Sequence, residues 1–357
     1  MTGKSAVKIL ELENDFDLYA RIASSIKIKS VYFSPTYLLS IQKAEGYPIK
    51  VVIAHDDDSF ALIPYVWRKI NDLPFCKDIP EEMFDIITPH EYSGVITNED
   101  NPERRKNLFS VLFSGVDDLC KNKRVVTEFA RFDPFITDIA SMEKHYEIRS
   151  VGQNVYINLE QTGEGIWNSF ERSAQKNVKT AVRCGLQFHE AEHKKEIDAF
   201  IHFYRDSMQR LCAEKYFYFN WEYFYALLKS CGGARLFMVC DDSGVPVAAS
   251  ILLYHGDTAH HHLTGYDPAA LQKRPNDFMI YQLAMWAKGQ GIKCLHLGGG
   301  AESIRNFKKK FSSERIPYHI GHKVHNIKVY KMLCEAWRVH SGNCTETDYF
   351  PLYRFNK

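Results

Sequence analysis

The stretch Lys293–Phe311, KCLHLGGGAESIRNFKKKF, constrains the chain path more than any other part of the sequence. Cys294, Leu295, His296 and Leu297 form a short run that reads as a buried strand. Gly298, Gly299 and Gly300 follow at once, and Ile304, Phe307 and Phe311 then recur at helical spacing. A strand that ends in a side-chain-free turn and opens into a helix exposes backbone N–H groups. Lys308, Lys309 and Lys310 put cations beside them. The arrangement suits an anionic ligand. A tight strand–helix turn with a solvated lysine face is written in the same letters, and no full glycine fingerprint accompanies the run.

A length of 357 residues predicts two domains or one large one. The 45 basic and 44 acidic residues nearly cancel, so no global field points to nucleic acid or membrane. The balance is local: Ala301–His340 holds nine Lys and Arg against three Glu. Nine cysteines without a CxxC predict a reducing compartment. The N-terminal residues lack the apolar core of a secretory signal, and no apolar run is long enough to span a bilayer. The expectation is a cytoplasmic, globular protein with no transmembrane segment.

Along the first half, Ser34 and Pro35 cap a helix that stops near Gly46. Lys50–His55 and Ser59–Val66 predict a hairpin, Phe84–Val95 a loop, Pro102–Lys121 a helix and Val125–Phe132 a strand. In the second half, Asn154–Leu159 predicts a strand. Trp167, Phe170, Ala174, Val178 and Ala181 then predict one helix capped by Thr162 and ended by Gly185. Lys176, Lys179 and Arg183 form a separate basic stripe on it. Two helices follow, linked by the aromatic loop Lys215–Asn220. Three strands come next, then a helix capped by Asn276, then the strand–glycine–helix stretch, and last a lysine-rich tail. The order is α+β, without the regular βαβ repeats of a doubly wound fold.

Several segments, taken in this order, resemble the FemAB-like N-acyltransferases, which are built from two GNAT domains. They are SAQKNVKTAVRCGL, HHLTGYDP, AMWAKGQGIKCLHLGGG and NFKKKF, the last similar to the family's Phe-Lys-x-x-Phe, with TPHEYSGV and EFARFDPF in the first half. Asp133 stands where a His is common, Val95 where a Gly is common, and Ser312 where a Gly follows the Phe-Lys motif. The resemblance implies an α+β fold of two GNAT-like domains with mixed, mostly antiparallel sheets flanked by helices. They would span 1–150 and 151–317, with a tail over 318–357 packing back on the first. It also implies acyl or aminoacyl transfer to an amine by direct attack in an interdomain cleft. The donor would be aminoacyl-tRNA or acyl-CoA, and the acceptor a nucleotide sugar or another anionic envelope or polysaccharide precursor. tRNA is the one macromolecular partner implied. No permanently bound cofactor and no metal are expected. A coenzyme A acetyltransferase acting on a small amine, or a non-catalytic glycan- or nucleotide-binding module, are the alternatives.

Acyl transfer needs an oxyanion partner and a way out for the amine's proton. Lys308, at the mouth of the glycine-lined strand end, is the candidate for the first, with Phe307, Gly298 and Gly299 beside it. His262 is the candidate base. Arg183 and Lys179 suit phosphates, and Arg210 is a further anion candidate. Tyr266 is a candidate to line the cleft, with Tyr92 and Arg131 facing it from the first half. His260–His262 does not read as a metal site, because neighbours on a strand point to opposite faces and no further ligand pattern completes one.

Overall fold

The computed structural model describes residues 6–26, 30–213, 217–342 and 347–355. Its contacts divide the chain into two units. The first holds the described residues of 1–28, 32–151 and 318–357, the second those of 29–31 and 152–317.

The first unit opens with β1 (Ala6–Glu11), α1 (Phe16–Ser25) and α2 (Pro35–Glu45). Ser34 caps α2 by accepting from the Tyr37 N–H at 3.2 Å, and Gly46 closes it with φ +71°. Strands β2 (Ile49–Asp56) and β3 (Ser59–Lys69) form the expected hairpin. Then come β4 (Phe84–Ile87), β5 (Ile96–Thr97), α3 (Pro102–Asn122), β6 (Val125–Arg131) and the short α4 (Ile139–Met142). β7 (Glu147–Asn158) carries the chain into the second unit, and β13 (Arg315–Val324) brings it back to α11 (Ile327–Ser341). The strand order here is β1-β2-β3-β4-β6-β13, antiparallel except for β4 with β6. α3 buries Leu108, Leu112, Phe113 and Val116 against β2 and β3, one side of an amphipathic helix.

Phe84–Val95, a loop by sequence, opens with a strand: Phe84–Ile87 forms β4, and 88–95 is the irregular stretch expected. β4 pairs with β3 and β6, and its Asp85 is fully buried. Arg68 Nε donates to Asp85 at 2.6 Å and Arg354 Nε at 2.8 Å. A buried ion cluster put a charged letter inside a strand and hid its pattern.

The second unit contains the rest of β7, α5 (Gly163–Ser169), α6 (Arg172–Arg183), β8 (Gln187–Ala191), α7 (Lys194–Arg210) and α8 (Trp221–Ser230). After them come β9 (Ala234–Cys240), β10 (Pro246–His255), β11 (Thr258–Tyr266), α9 (Pro275–Gly289), β12 (Cys294–Gly298) and α10 (Glu302–Lys309). Its strand order is β7-β12-β11-β10-β9-β8, antiparallel except for β11 with β12. Lys215 and Tyr216 of the predicted aromatic loop lie outside the described residues.

Two helix boundaries differ from expectation. The apolar stripe Trp167–Ala181 is split between α5 and α6, because Phe170 takes an extended backbone with ψ 141°. Its ring meets Phe311 edge-on at 5.2 Å, and the Glu171 N–H donates to the Lys310 carbonyl at 2.8 Å. Long-range packing overrides local periodicity there. Helix α9 begins at Pro275, not after Asn276: Arg274 has φ +61°, and its carbonyl accepts from Phe278 N–H.

Gly265 lies where α7 crosses β11. A Cβ added to it would stand 2.4 Å from the Phe203 carbonyl carbon and the Tyr204 backbone nitrogen. Neither atom can move without moving the helix. Gly265→Ala is expected to cost about 3 kcal/mol or more, read as a lowered urea midpoint at unchanged slope. A loss below about 0.5 kcal/mol would mean that α7 is free to shift.

Candidate active site

The site is built on the β12–α10 junction. β12 buries Leu295 and Leu297, and Gly298 leaves it with φ +75°. A Cβ on Gly299 would stand 2.7 Å from Asn154 Oδ1, and Gly300 has φ +117°. Two positive φ values and one close approach give all three glycines a steric reason. The turn folds the main chain back so that Lys308, one helix length on, reaches it. Its Nζ donates to the Gly299 carbonyl at 2.7 Å, half-buried.

Phe307 and Phe311 anchor that helix. Their rings lie 5.2 Å apart, Phe311 is fully buried, and Lys310 Nζ stands 5.9 Å from the Phe307 centroid. The lysine face of α10 therefore has one member turned inward to the turn and one laid over a ring.

β11 supplies three histidines. His260 is buried against His296 of β12, with their Nδ1 atoms 3.1 Å apart, so one imidazole donates to the other. Pairing with β10 then slips: Ile251 faces Leu263 but Leu252 faces His261, leaving His262 as the extra residue of a bulge. His262 Nε2 lies 2.9 Å from Tyr223 Oη on α8, a bond that fixes the ring's direction.

His261 is the neighbour that sequence reasoning passed over. Its Nε2 is buried without a hydrogen-bond partner among the described residues. Burial first, then the charges of Lys308 and His262, push its imidazole down to about 3. The bulge defeats the alternation rule on which the sequence reading relied. No letter in the run announces it.

The sign of the resulting pH dependence is definite. In the unfolded chain His261 takes up a proton near its ordinary value of 6.5, and in the folded chain only near 3. Between these values the unfolded state binds more protons, so this residue removes stability as pH falls from 6.5 to 3. His261→Gln is expected to flatten the denaturation midpoint over that range. Parallel curves for the two proteins would refute the assignment.

The remaining second-unit candidates divide into two places. Arg210 ends α7 and lies over the Tyr266 ring at 4.9 Å, donating to Ser207 Oγ at 2.8 Å and to the Tyr266 carbonyl at 3.2 Å. Arg210 thus ties α7 to the end of β11. Lys179 and Arg183 stand exposed on α6, with Lys179 Nζ 5.7 Å from the Trp167 centroid. α6 is fastened to α9 by Asn177, whose side-chain N–H donates to Asp277 at 3.0 Å. Burial raises the Asp277 carboxyl above its ordinary value.

In the first unit, Tyr92 is buried edge-on between Tyr32 and Tyr318, with centroids 5.5 and 5.2 Å away. The Arg131 guanidinium lies 5.0 Å from the Phe129 ring, and its backbone N–H donates to Thr88. Asp133, adjacent in sequence, accepts from the Phe135 N–H and so shapes its own turn.

Among the described residues, one group has metal-ligating atoms within 4.8 Å of one another: Cys120, Glu128 and His325. It lies in the first unit's core, and Glu128 already accepts from Tyr65, Tyr146 and His325. The β11 histidines form no such group.

Residues 168–309 match the acetyltransferase (GNAT) domain family. The matched segment lies within the second unit and spans less than half of the chain. Among solved structures the chain is similar to FemX, with a TM-score of 0.67 and 12% identity, covering 88% of this chain and 98% of that one. It is also similar to a conserved protein of unknown function from Bacteroides thetaiotaomicron VPI-5482, with a TM-score of 0.54 and 11% identity over 89% and 99% of the two chains. A third likeness is to the C-terminal DUF2156 domain of a candidate lysylphosphatidylglycerol synthetase from Agrobacterium fabrum, with a TM-score of 0.52 and 12% identity over 90% and 96%. At these identities the likeness speaks for the fold. No curated protein matches the sequence. Among the described residues, no helix is long and apolar enough to cross a membrane.

Proposed function

We propose that this chain moves an aminoacyl or acyl group onto the amine of an anionic envelope or polysaccharide precursor, such as a nucleotide-linked amino sugar. The observation that carries the reading is the Lys308 ammonium, held 2.7 Å from the Gly299 carbonyl where β12 gives way to α10. A donor carbonyl entering that turn would replace Gly299 as the partner of Nζ. Charge developing on its oxygen would then meet a cation already in place.

In this reading the acceptor amine forms a C–N bond to the donor carbonyl carbon. The donor's ester C–O or thioester C–S bond breaks, and the leaving oxygen or sulfur departs with the electron pair. The amine's proton passes to His262, whose ring is oriented by Tyr223, and from there to the leaving group. No covalent enzyme intermediate is needed. Phe307 and the Gly298–Gly299 turn shape the wall, and Arg210 holds Tyr266 at the end of β11. Donors of either class are made in the cytoplasm, which is where this reading places the reaction.

The test is thermal stabilisation by aminoacyl-tRNA, coenzyme A and a panel of nucleotide sugars. A ligand at 100 times its Kd adds about 2.7 kcal/mol. Stabilisation by a nucleotide amino sugar together with aminoacyl-tRNA supports the reading. Stabilisation by coenzyme A alone replaces it with a coenzyme A-dependent acetyltransferase, the reading favoured by the matched family's description.

A further inference from the structure

α5, α6 and α9 line an open groove of about 760 Å³, with Trp167, Arg172, Lys176, Lys179, Arg183 and Tyr281 among its residues. The four cations recur at i, i+4, i+7 and i+11 of α6, a stripe about 16 Å long at 1.5 Å per residue. α6 contains no acidic residue. Among the described residues none of the four appears in an ion pair, and Arg183 bonds within its own helix, to the Lys179 carbonyl and Thr180 Oγ1. Like charges at this spacing repel by a few tenths of a kcal/mol per pair. An external anion would relieve that repulsion.

The other wall is aromatic. Trp167 and Tyr281 are half-buried and meet edge-on at 5.4 Å and 74°. Phosphate suits the cations, arginine forks above all. A nucleobase suits the rings, since every base has a face that stacks. A plain anion such as pyrophosphate would use one wall only.

We propose that this groove binds a nucleoside phosphate, with the base against Trp167 and Tyr281 and the phosphates along α6. The groove is tied to the β12–α10 site through the Glu171 N–H bond to Lys310 and the contact of Phe170 with Phe311. It therefore gives a nucleotide-borne cosubstrate a seat beside the reacting groups, and only this role rests on the acyl-transfer reading. Two sources present the same chemistry: a free nucleotide, and the 3′ end of a single-stranded RNA.

The experiment titrates the full chain with ADP, UDP, inorganic pyrophosphate and a CCA-ended oligoribonucleotide, following tryptophan fluorescence and, separately, calorimetric affinity. A nucleotide or the oligonucleotide is expected to quench the signal. Trp167→Phe is expected to remove the quench, and Lys179→Ala with Arg183→Ala to weaken binding at least tenfold. For an RNA end engaging all four cations, log K against log salt should fall with a slope near about −2.8, and less steeply for a free nucleotide. Binding by the oligonucleotide alone identifies the RNA source, and binding by the nucleotides alone the free one. No binding of any of them at millimolar concentration overturns the proposal. So does pyrophosphate binding as tightly as ADP with no effect of Trp167→Phe. Lys308→Ala should leave the groove's affinity unchanged, so loss of transfer and loss of groove binding are scored apart.

Discussion

Lys308→Ala is expected to lower kcat/KM for acyl transfer by a factor of about 100 to 1000 while leaving the melting temperature nearly unchanged. Removing one pre-placed donor to a developing oxyanion has an effect of that size. The bond to the Gly299 carbonyl is half-buried, and a carbonyl at a turn regains water when the side chain goes. Its loss should cost no more than about 1 kcal/mol of stability. The measurement uses the donor and acceptor that the stabilisation panel selects, with thermal melts of both proteins alongside. Lys308→Arg keeps the charge but spreads it over a planar fork that does not fit a single carbonyl in a tight turn, so only part of the activity should return. Activity of the alanine variant within threefold of the parent would remove Lys308 from the chemistry.

Phe311→Ala is expected to be the most damaging substitution near the site, costing about 3 to 5 kcal/mol. Phe311 is fully buried and touches Phe170 at 5.2 Å and Phe307 at 5.2 Å, so its ring joins α10 to the break between α5 and α6. The cavity left behind cannot close unless α10 tilts, and α10 carries Lys308. Transfer should therefore fall even at temperatures where the variant stays folded. Chemical denaturation gives the stability, and activity measured well below the midpoint gives the second effect. A destabilised variant with full residual activity would show that α10 is held by its glycine turn alone. Phe311→Leu, which refills most of the volume, should recover the larger share of both.

Part of this was readable in the letters. The run from Cys294 to Phe311 predicts strand, turn and helix, and the structure has β12, three constrained glycines and α10 there. Local physics explains the agreement: positive φ selects glycine, and a short apolar run bounded by it is a strand. Lys308 is legible for a related reason, because it follows the glycine-lined strand end on a short helix that keeps it near that turn. The α6 stripe was readable as well, since helical period alone sets which residues share a face. What it faces was not, because Trp167 and Tyr281 come from two other helices.

Elsewhere distant atoms decided. The split at Phe170 follows from a hydrogen bond to Lys310, 139 positions away from Glu171 in sequence, and from a ring contact with Phe311. β4 exists because Arg68 and Arg354 neutralise Asp85 inside the sheet, which no window around Asp85 could show. The setting of His261 depends on a register slip against β10 and on the charge of Lys308, which belongs to another element. The sequence by itself determined the α+β class, the helical faces and the glycine turn, all of which follow from backbone sterics and periodicity within a few residues. Only the tertiary structure decided which imidazole lies beside the Lys308 charge, where helices break and what walls the basic groove. Those outcomes depend on burial and charge contributed by residues far apart along the chain.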